Sequence, residues 1–382
     1  MEKVRISPLQ FFSLLVLFQF GTTLVVNLGL QAGKDSWIAM LIGMIMGLLL
    51  FSMNAFLYSL FPDKLPTVYY RILLGKYLGG FVGLSYGVFY LHTASRDVVD
   101  GGLLVMASAA LKETPLLIVN LIMVMTVAYV LGKGIEVLAR TALIFLAVVL
   151  IIGGFSLLVI LFAGIVDLQR LLPVMGEGTG PILKSVVEKN IHFPFAELIV
   201  ATVLMPALNQ KKTGIKAGYL AILFCGVMLA QTSAITISVL GTNITERSVF
   251  PLLTMVGKAN ISEFIERTEI LVVMVLIIGV FFKISLYYYA ALMCTSELFK
   301  IPYKKLIYPY AVIILGNSMV LSRSYSEHLM KGSKYLYTVL PVFTIVIPAV
   351  LVILVMIRIL VRRMKSKSKS RSEPNSNSSP AS

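Results

Sequence analysis

The stretch Phe193-Pro194-Phe195-Ala196-Glu197 interrupts a span that is otherwise apolar and long enough to cross a bilayer. Pro194 lacks a backbone donor and clashes with the preceding turn of a helix. In hydrocarbon, a broken helix survives only where its freed backbone groups face protein, water or a ligand. A buried Glu197 carboxylate beside the break is costly unless it is paired or functional. The stretch therefore predicts a small-molecule site at mid-membrane depth.

The composition places the chain among polytopic α-helical membrane proteins. Of its 382 residues, 58% are hydrophobic and 13% are charged, which is far more apolar than a soluble domain. A net charge of +15 would suggest nucleic acid in a soluble protein, but here most basic residues fall on one side of the predicted topology. We therefore expect no nucleic-acid partner. Cys225 and Cys294 lie within apolar spans, which favours packing over a disulfide or metal pair.

Apolar runs near or beyond the ~18 residues needed to span a bilayer recur along the chain. They predict ten transmembrane helices, over residues 8–30, 37–61, 80–110, 115–131, 140–164, 187–207, 217–240, 269–297, 305–322 and 335–360. The positive-inside bias places both termini in the cytoplasm. We thus expect an all-α permease-like domain over 1–362 and a disordered, Ser-rich tail over 363–382, whose basic residues would attract anionic lipid.

The ten spans divide into two sets of five, about 8–164 and about 187–360. Gly21-Thr22-Thr23 lies near the middle of the first span, as the proline break lies in the sixth. Interrupted helices at corresponding positions of two halves are a sequence pointer to a transporter-type site, and an odd number of spans per half makes the second half inverted. Gly and Thr also serve as packing residues in membrane helices, and the proline break could be a tolerated kink with a paired carboxylate.

The long outer loop 241–268 carries a second helical signal. The segment 250–253 is apolar and contains a proline, and three apolar residues follow at helical spacing between 261 and 265. This pattern predicts a short amphipathic helix at the outer rim. The helix could close over a site as a lid, or it could rest on lipid headgroups.

Several motifs in a particular order carry a resemblance to a known family. They are Leu9-Gln10-Phe11-Phe12, Gln19-Phe20-Gly21, the run 72–79, Leu172-Pro173-Val174, the run 193–197, Glu266-Arg267-Thr268-Glu269 and Phe282-Lys283-Ile284-Ser285. With these motifs the chain, from about Ser7 to Arg362, resembles the B-type subunits of bacterial spore germinant receptors. These form a spore permease branch of the amino acid/polyamine/organocation superfamily.

The resemblance implies a leucine-transporter-type fold of five plus five inverted helices, with helices one and six broken. It implies a receptor that binds a nutrient (an amino acid, a sugar or a nucleoside) between helices one, three, six and eight and triggers spore germination. It also implies A-type and lipoprotein C-type partner subunits in the spore inner membrane. The alternatives are a proton-coupled amino acid or polyamine transporter and a pore for ions or water.

The expected ligand-binding residues lie at the two breaks or on helices three and eight. They are Gly21, Thr22, Thr23, Tyr90, Ala94, Phe193, Phe195, Glu197, Ser285 and Tyr288. Main-chain dipoles at the breaks suit the carboxylate and ammonium of an amino acid. The sequence has no nucleophile elbow, metal-ligand spacing or histidine–carboxylate constellation, so we expect neither an enzyme nor a cofactor or metal site.

Four charged residues within the spans are candidates for ion handling or coupling. Arg96 and Asp100 are one helical turn apart and can pair, and Asp97 lies one step round the helix. These three form either a structural ion pair or a polar path. An isolated Lys283 would be costly at mid-membrane. It either pairs with Glu197 or a helix-three Asp or, in the fold that the resemblance implies, replaces the sodium ion that coupled members hold between helices one and eight.

Overall fold

The computed structural model describes residues 5–24, 30–107, 114–258, 268–321 and 325–371, and the regular structure of these ranges is helical apart from one isolated bridge between Ile6 and Leu208. The helices of the first half are α1 (Pro8–Phe20), α2 (Ser36–Leu60), α3 (Pro66–Leu74), α4 (Lys76–Ala107), α5 (Leu116–Lys133) and α6 (Ile135–Phe162). Those of the second half are α7 (Thr179–Ser185), α8 (Ala201–Leu204), α9 (Lys211–Leu240), α10 (Thr242–Arg247), α11 (Pro251–Lys258), α12 (Thr268–Phe299), α13 (Tyr303–Leu321), α14 (Tyr325–Thr338) and α15 (Ile347–Arg371). The predicted all-α class is confirmed.

Seven helical stretches of the described residues are long and apolar enough to cross a membrane, as expected of a multi-pass membrane protein. They are Ala32–Leu60, Leu116–Lys133, Ile135–Phe162, Thr179–Ala207, Lys211–Leu240, Ile270–Phe299 and Met330–Val361. Each overlaps one of the ten predicted spans. The other three predicted spans overlap α1, α4 and α13. Length and hydropathy therefore support seven of the ten.

Helix α1 begins at a capping box and ends just before Gly21. The Ser7 hydroxyl accepts a hydrogen bond from Gln10 N at 3.2 Å, and Gln10 Oε1 accepts one from Ser7 N at 2.8 Å. Together with Pro8 at the first helical position, this capping box starts the helix. The helix ends at Phe20, and residues 21–24 form a turn. The first predicted span is thus interrupted at Gly21, while 25–29 lie outside the described residues.

The second interruption lies at the predicted proline. A π-helical segment, Val186–Phe195, follows α7, and within it Phe193 has an extended backbone with φ −131° and ψ 124°. A 3₁₀ segment, Ala196–Val200, then leads into α8. The predicted break between Phe193 and Pro194 is therefore confirmed.

The helix α12 lies between the two interruptions. It packs along α4 and also contacts α1, while α1 lies against α9 and α6, and α2 packs on α9 and on the segment Val186–Phe195. Both Cys225 and Cys294 are buried and free, in agreement with a packing role. Because α12 is held from both sides, the buried Lys283 in its middle faces the ends of the broken helices.

The short helix α3 closes one end of the bundle through charged contacts. Arg71 pairs with the nearly buried Glu297 at the end of α12. Arg358 of α15 donates to the carbonyl oxygens of Leu73, at 2.7 Å, and Ile72, at 3.1 Å. These contacts join α3 to the ends of two membrane-spanning helices.

Two peripheral segments bear on the predictions. The amphipathic helix expected in the loop 241–268 is present as α11, with 259–267 outside the described residues. The last helix runs to Arg371, so the segment 363–371, predicted to be disordered, is helical instead. Lys and Arg are good helix formers, and a long apolar helix can extend into them. Residues 372–382 lie outside the described part of the chain.

Candidate functional site

The side chain of Lys283, near the middle of α12, is completely buried. Its Nζ donates hydrogen bonds to Glu197 Oε2, at 2.6 Å, and to Thr22 Oγ1, at 2.8 Å. The ammonium also lies 4.1 Å from the centroid of the Phe193 ring, whose face attracts a cation. One side chain therefore contacts the turn after α1 and residues on both sides of the proline break.

The ion pair between Lys283 and Glu197 offsets the free-energy cost of burying each charge away from water. Glu197 is 3% exposed and Lys283 is 0% exposed, so neither charge would be stable here alone. The predicted salt bridge to Glu197 is present. The ammonium also touches the turn after α1, as the sodium-replacement hypothesis requires, and that hypothesis stays a prediction.

Two glycines let the end of α1 approach α12. A Cβ built on Gly21 would lie 2.7 Å from Lys283 Cδ and 2.8 Å from the carbonyl oxygen of Phe18. A Cβ on Gly279, one turn before Lys283, would lie 3.0 Å from Gly21 Cα. Larger residues at either position would push α1 away from the lysine.

Asp97 joins the same group through Thr22, whose hydroxyl donates to Asp97 Oδ1 at 3.3 Å. The other oxygen, Asp97 Oδ2, is buried with no hydrogen-bond partner among the described residues. We call Thr22, Asp97, Phe193, Glu197 and Lys283 the Lys283 cluster. It holds two carboxylates and one ammonium away from solvent.

The other two charges of α4 lie outside the cluster. Asp100 Oδ1 is 2.7 Å from Nε2 of His328 in α14, and the Arg96 guanidinium lies over the ring of Tyr335, 5.2 Å from its centroid. Among the ion pairs of the described ranges, the partner of Asp100 is thus His328, and the expected pairing with Arg96 is wrong. The reason is that α14, whose first part was assigned to a loop, packs His328 beside α4.

Tyr90, Ala94 and Asp97 of α4 recur at helical spacing, so they share one face of the helix, and all three are buried. The ring of Tyr90 lies 6.0 Å from that of Tyr287, which lies 5.0 Å from that of Phe18. This places the predicted Tyr90 beside the cluster. Tyr287 and Phe18 were not predicted.

Three hydroxyl groups around these residues are buried without a well-aligned hydrogen bond in the described part of the chain, those of Thr23, Tyr90 and Tyr287. The Tyr287 hydroxyl lies close to the Glu197 carboxylate, and the Tyr90 hydroxyl lies close to Thr202. A buried polar group without a partner costs about 1–3 kcal/mol. Such groups are suited to contact with a polar ligand that enters the closed site.

Three of the predicted site residues are directed elsewhere. Ser285 Oγ donates to Phe281 O within α12 at 2.7 Å, and the Tyr288 hydroxyl donates to Ile307 O of α13. A Cβ on Gly47 of α2 would lie 2.5 Å from Phe195 Cβ, so Phe195 packs against α2. The structure does not bring these residues to the Lys283 cluster. The four-residue spacing between Lys283 and Tyr287 is the signal that could have selected Tyr287 over Tyr288.

Membrane-spanning helices with two interruptions around a buried ion pair define a polytopic membrane protein of transporter-like architecture. The structure of Mhp1, a nucleobase-cation-symport-1 family transporter in a closed conformation with bromovinylhydantoin bound, matches with a TM-score of 0.67. The match covers 92% of this chain and 78% of that chain at 12% sequence identity. This likeness shows a shared fold of the leucine-transporter type.

Sequence similarity narrows the class to a family. The spore permease family model, described as spore germination protein, matches residues 5–327. The chain is 36% identical over 354 residues to spore germination protein KB of Bacillus subtilis (strain 168), covering 92% of this chain and 94% of that protein. It is 24% identical over 276 residues to spore germination protein YndE of the same strain, covering 70% and 72%. The chain therefore belongs to the spore permease family of spore germination proteins.

Proposed function

We propose that this chain is a nutrient germinant receptor subunit, which binds a small nutrient at its two helix interruptions and thereby triggers spore germination. One observation carries the proposal: the Lys283 ammonium contacts both Thr22, in the turn after α1, and Glu197, just after the proline break. A ligand at this point touches both broken helices at once. Its binding can therefore change their relative position.

An amino acid is the nutrient that best fits the chemistry of the site. The unpaired oxygen of Asp97 can accept a hydrogen bond from an ammonium group. The hydroxyls of Thr23, Tyr90 and Tyr287, which make no well-aligned hydrogen bond in the described structure, can donate to a carboxylate, which also lies favourably near Lys283. Charge-assisted hydrogen bonds of this kind are roughly twice as strong as neutral ones. The zwitterion would thus satisfy polar atoms that otherwise have no partner.

Tyr287→Phe and Tyr288→Phe form a matched pair that tests the site. Tyr287→Phe removes a hydroxyl that makes no well-aligned hydrogen bond in the described structure, although it lies close to the Glu197 carboxylate, so protein stability should change little. Loss of one hydrogen bond to the nutrient should raise its half-maximal concentration for germination about tenfold, equivalent to about 1.4 kcal/mol. The measurement is a nutrient dose–response on spores that carry each variant with its partner subunits.

Tyr288→Phe is the control because its hydroxyl donates to Ile307 O between two helices. It should lower stability by about 0.5–1.5 kcal/mol and leave the nutrient concentration dependence unchanged. An unaltered dose–response in Tyr287→Phe, or a shift confined to Tyr288→Phe, would contradict the proposed site.

A proton-coupled amino acid or polyamine transporter is the second candidate. The observation that favours it is the buried pair of Lys283 and Glu197, since a proton can move onto or off such a pair during a transport cycle. Uptake of labelled amino acids into proteoliposomes with an imposed proton gradient separates the two. Concentrative uptake supports the transporter, and saturable binding without uptake supports the receptor. Ion or water flux through the reconstituted protein would instead indicate a pore.

The proposal includes a finer architecture: ten spans in two inverted sets of five, with both termini in the cytoplasm. The two interruptions, in α1 and before α8, support the repeat because each lies in the first helix of its set. Cysteine-accessibility labelling at the two termini tests the orientation. Labelling of either terminus from outside intact protoplasts would contradict it.

The proposed receptor is non-enzymatic and works with A-type and C-type subunits in the spore inner membrane. The membership of the spore permease family and the likeness to spore germination protein KB support this setting. Anionic lipid at the basic residues after Arg358 is a further part of the proposal. Co-purification of tagged chain with the two partner subunits from spore membranes is the direct test.

A further inference from the structure

A cavity of about 300 Å³ lies on the far side of α1 from the Lys283 cluster. Phe20 and Leu24 line it, whereas Phe18 and Thr22 face Lys283. The rest of the wall comes from α6, α9, α11 and α12, and its side chains are apolar apart from Ser156, Gln231 and Thr232. The volume is at the lower end of the range for small-molecule sites.

The part of the cavity wall that α6 contributes lies at the exposed surface of the helix bundle. Of the seven candidate spans, α6 is the most apolar and the least buried, as expected of a helix that faces lipid. Gly153 and Gly154 of α6 line the cavity, and nothing stands within 4 Å of the position where a Cβ would extend from either. Because glycine has no side chain, these two exposed positions leave room for a molecule to reach the cavity from outside the bundle.

One buried hydroxyl in the wall, that of Ser156, has no hydrogen-bond partner in the described part of the chain. Ser156 lines the cavity and is 6% exposed, yet its Oγ makes no hydrogen bond among the described residues. Hydroxyls in membrane helices usually donate to the carbonyl four residues back, as Thr232 in the same wall does to Met228 O at 2.8 Å. The Ser156 hydroxyl is therefore left to donate to a molecule within the cavity.

The depth of Ser156 in the membrane indicates which chemical group of that molecule accepts its hydrogen bond. A helix of 28 residues is about 42 Å long at 1.5 Å per residue, about 12 Å more than the hydrocarbon layer. Ser156 lies six residues before the helix ends at Phe162, or about 9 Å along the axis. A centred helix thus puts its hydroxyl just below the edge of the hydrocarbon, the level of the ester carbonyls of a phospholipid.

We propose that this cavity binds one acyl chain of a membrane phospholipid, which enters between α6 and α9 and accepts a hydrogen bond from Ser156 through its ester carbonyl. The acyl chain would fill the space next to Phe20, which precedes the turn 21–24, and next to Leu24, which ends that turn. An empty space of this size deprives its lining of van der Waals contacts. The bound lipid therefore supports the broken end of α1 from the side opposite Lys283.

Photo-crosslinking tests the proposal on the full-length chain in nanodiscs that contain a phospholipid with a diazirine in its acyl chain. Peptides of α6, α9 and α11 should carry most of the label. Gly154→Leu should lose that label because its side chain starts from a Cβ with nothing within 4 Å and occupies the entrance, and Gly153→Leu serves as a second variant. Gly316→Leu, on α13 and equally free of neighbours, should keep it.

Ser156→Ala should weaken the labelling, because it removes the donor and leaves the cavity shape almost unchanged. Label spread evenly over all lipid-facing helices would overturn the proposal, as would full labelling in both glycine variants. Labelling by a diazirine fatty acid but not by the phospholipid would also overturn it, since the ligand would then be a free amphiphile. Circular dichroism and gel filtration establish that each variant is folded.

Discussion

Lys283→Met is expected to abolish the germination response and to destabilise the protein by about 3–5 kcal/mol, the usual cost of leaving one partner of a buried ion pair alone. The side chain is completely buried, and its loss leaves Glu197 without the 2.6 Å hydrogen bond that offsets its charge. The turn after α1 loses its contact as well, because Thr22 accepts from the same ammonium. Membrane protein level, thermal unfolding in detergent and germination measure the three effects.

A double substitution separates folding from function at this pair. Glu197→Gln alone leaves the lysine without its directly bonded counter-charge and should also be destabilising. Lys283→Met with Glu197→Gln removes both charges of that pair and leaves only the Asp97 carboxylate of the cluster, so part of the lost stability should return. The response should stay absent because no ammonium holds the turn after α1. Lys283→Met at normal protein level with an unchanged nutrient response would rule out a role for the ammonium, including the replacement of sodium.

Gly21→Ala is expected to have the second-largest effect. The added Cβ would lie 2.7 Å from Lys283 Cδ and 2.8 Å from the backbone oxygen of Phe18. A side chain can move but a helix carbonyl moves less, so α1 must shift away from α12. Overpacking of this kind costs about 1–3 kcal/mol, and the shift lengthens the contact between Lys283 and Thr22. We expect the nutrient response to be lost or to need a much higher nutrient concentration.

Two further glycines provide the comparison. In Gly279→Ala the added Cβ would lie 3.0 Å from Gly21 Cα, so this substitution should reproduce the defect more mildly. In Gly316→Ala the added Cβ would have no atom within 4 Å. This substitution should leave the stability of the protein unchanged or raise it by up to about 1 kcal/mol, since alanine favours a helix. Equal effects of the substitutions at Gly21 and Gly316 on the dose–response would show that the close approach of α1 and α12 does not matter for signalling.

Much of the site could be predicted because its chemistry is local. Pro194 cannot continue a helix, and Glu197 and Lys283 cannot lie in hydrocarbon without partners. Those constraints hold for any arrangement of neighbours. They were enough to predict the break and to name Glu197 among the possible partners of Lys283, and the structure contains both the break and that pair.

The residues that were misplaced depend on the rotation of helices about their own axes. Tyr287 and Tyr288 are about 100° apart on a helix, and the packing of α12 between α1 and α13 turns the first toward the Lys283 cluster and the second toward Ile307. In the same way, the backbone of the interrupted segment around Pro194 directs the Phe193 ring toward the Lys283 ammonium and the Phe195 side chain toward α2.

Taken alone, the amino-acid sequence determined that the chain is a multi-pass helical membrane protein and where the span that holds Pro194 is interrupted. Proline geometry and the cost of buried charge act within a few residues, so no tertiary contact is needed to read them. Only the tertiary structure decided that Asp100 pairs with His328 and that Asp97 reaches Thr22. Those partners are distant in the chain, and which of them meet depends on how whole helices pack.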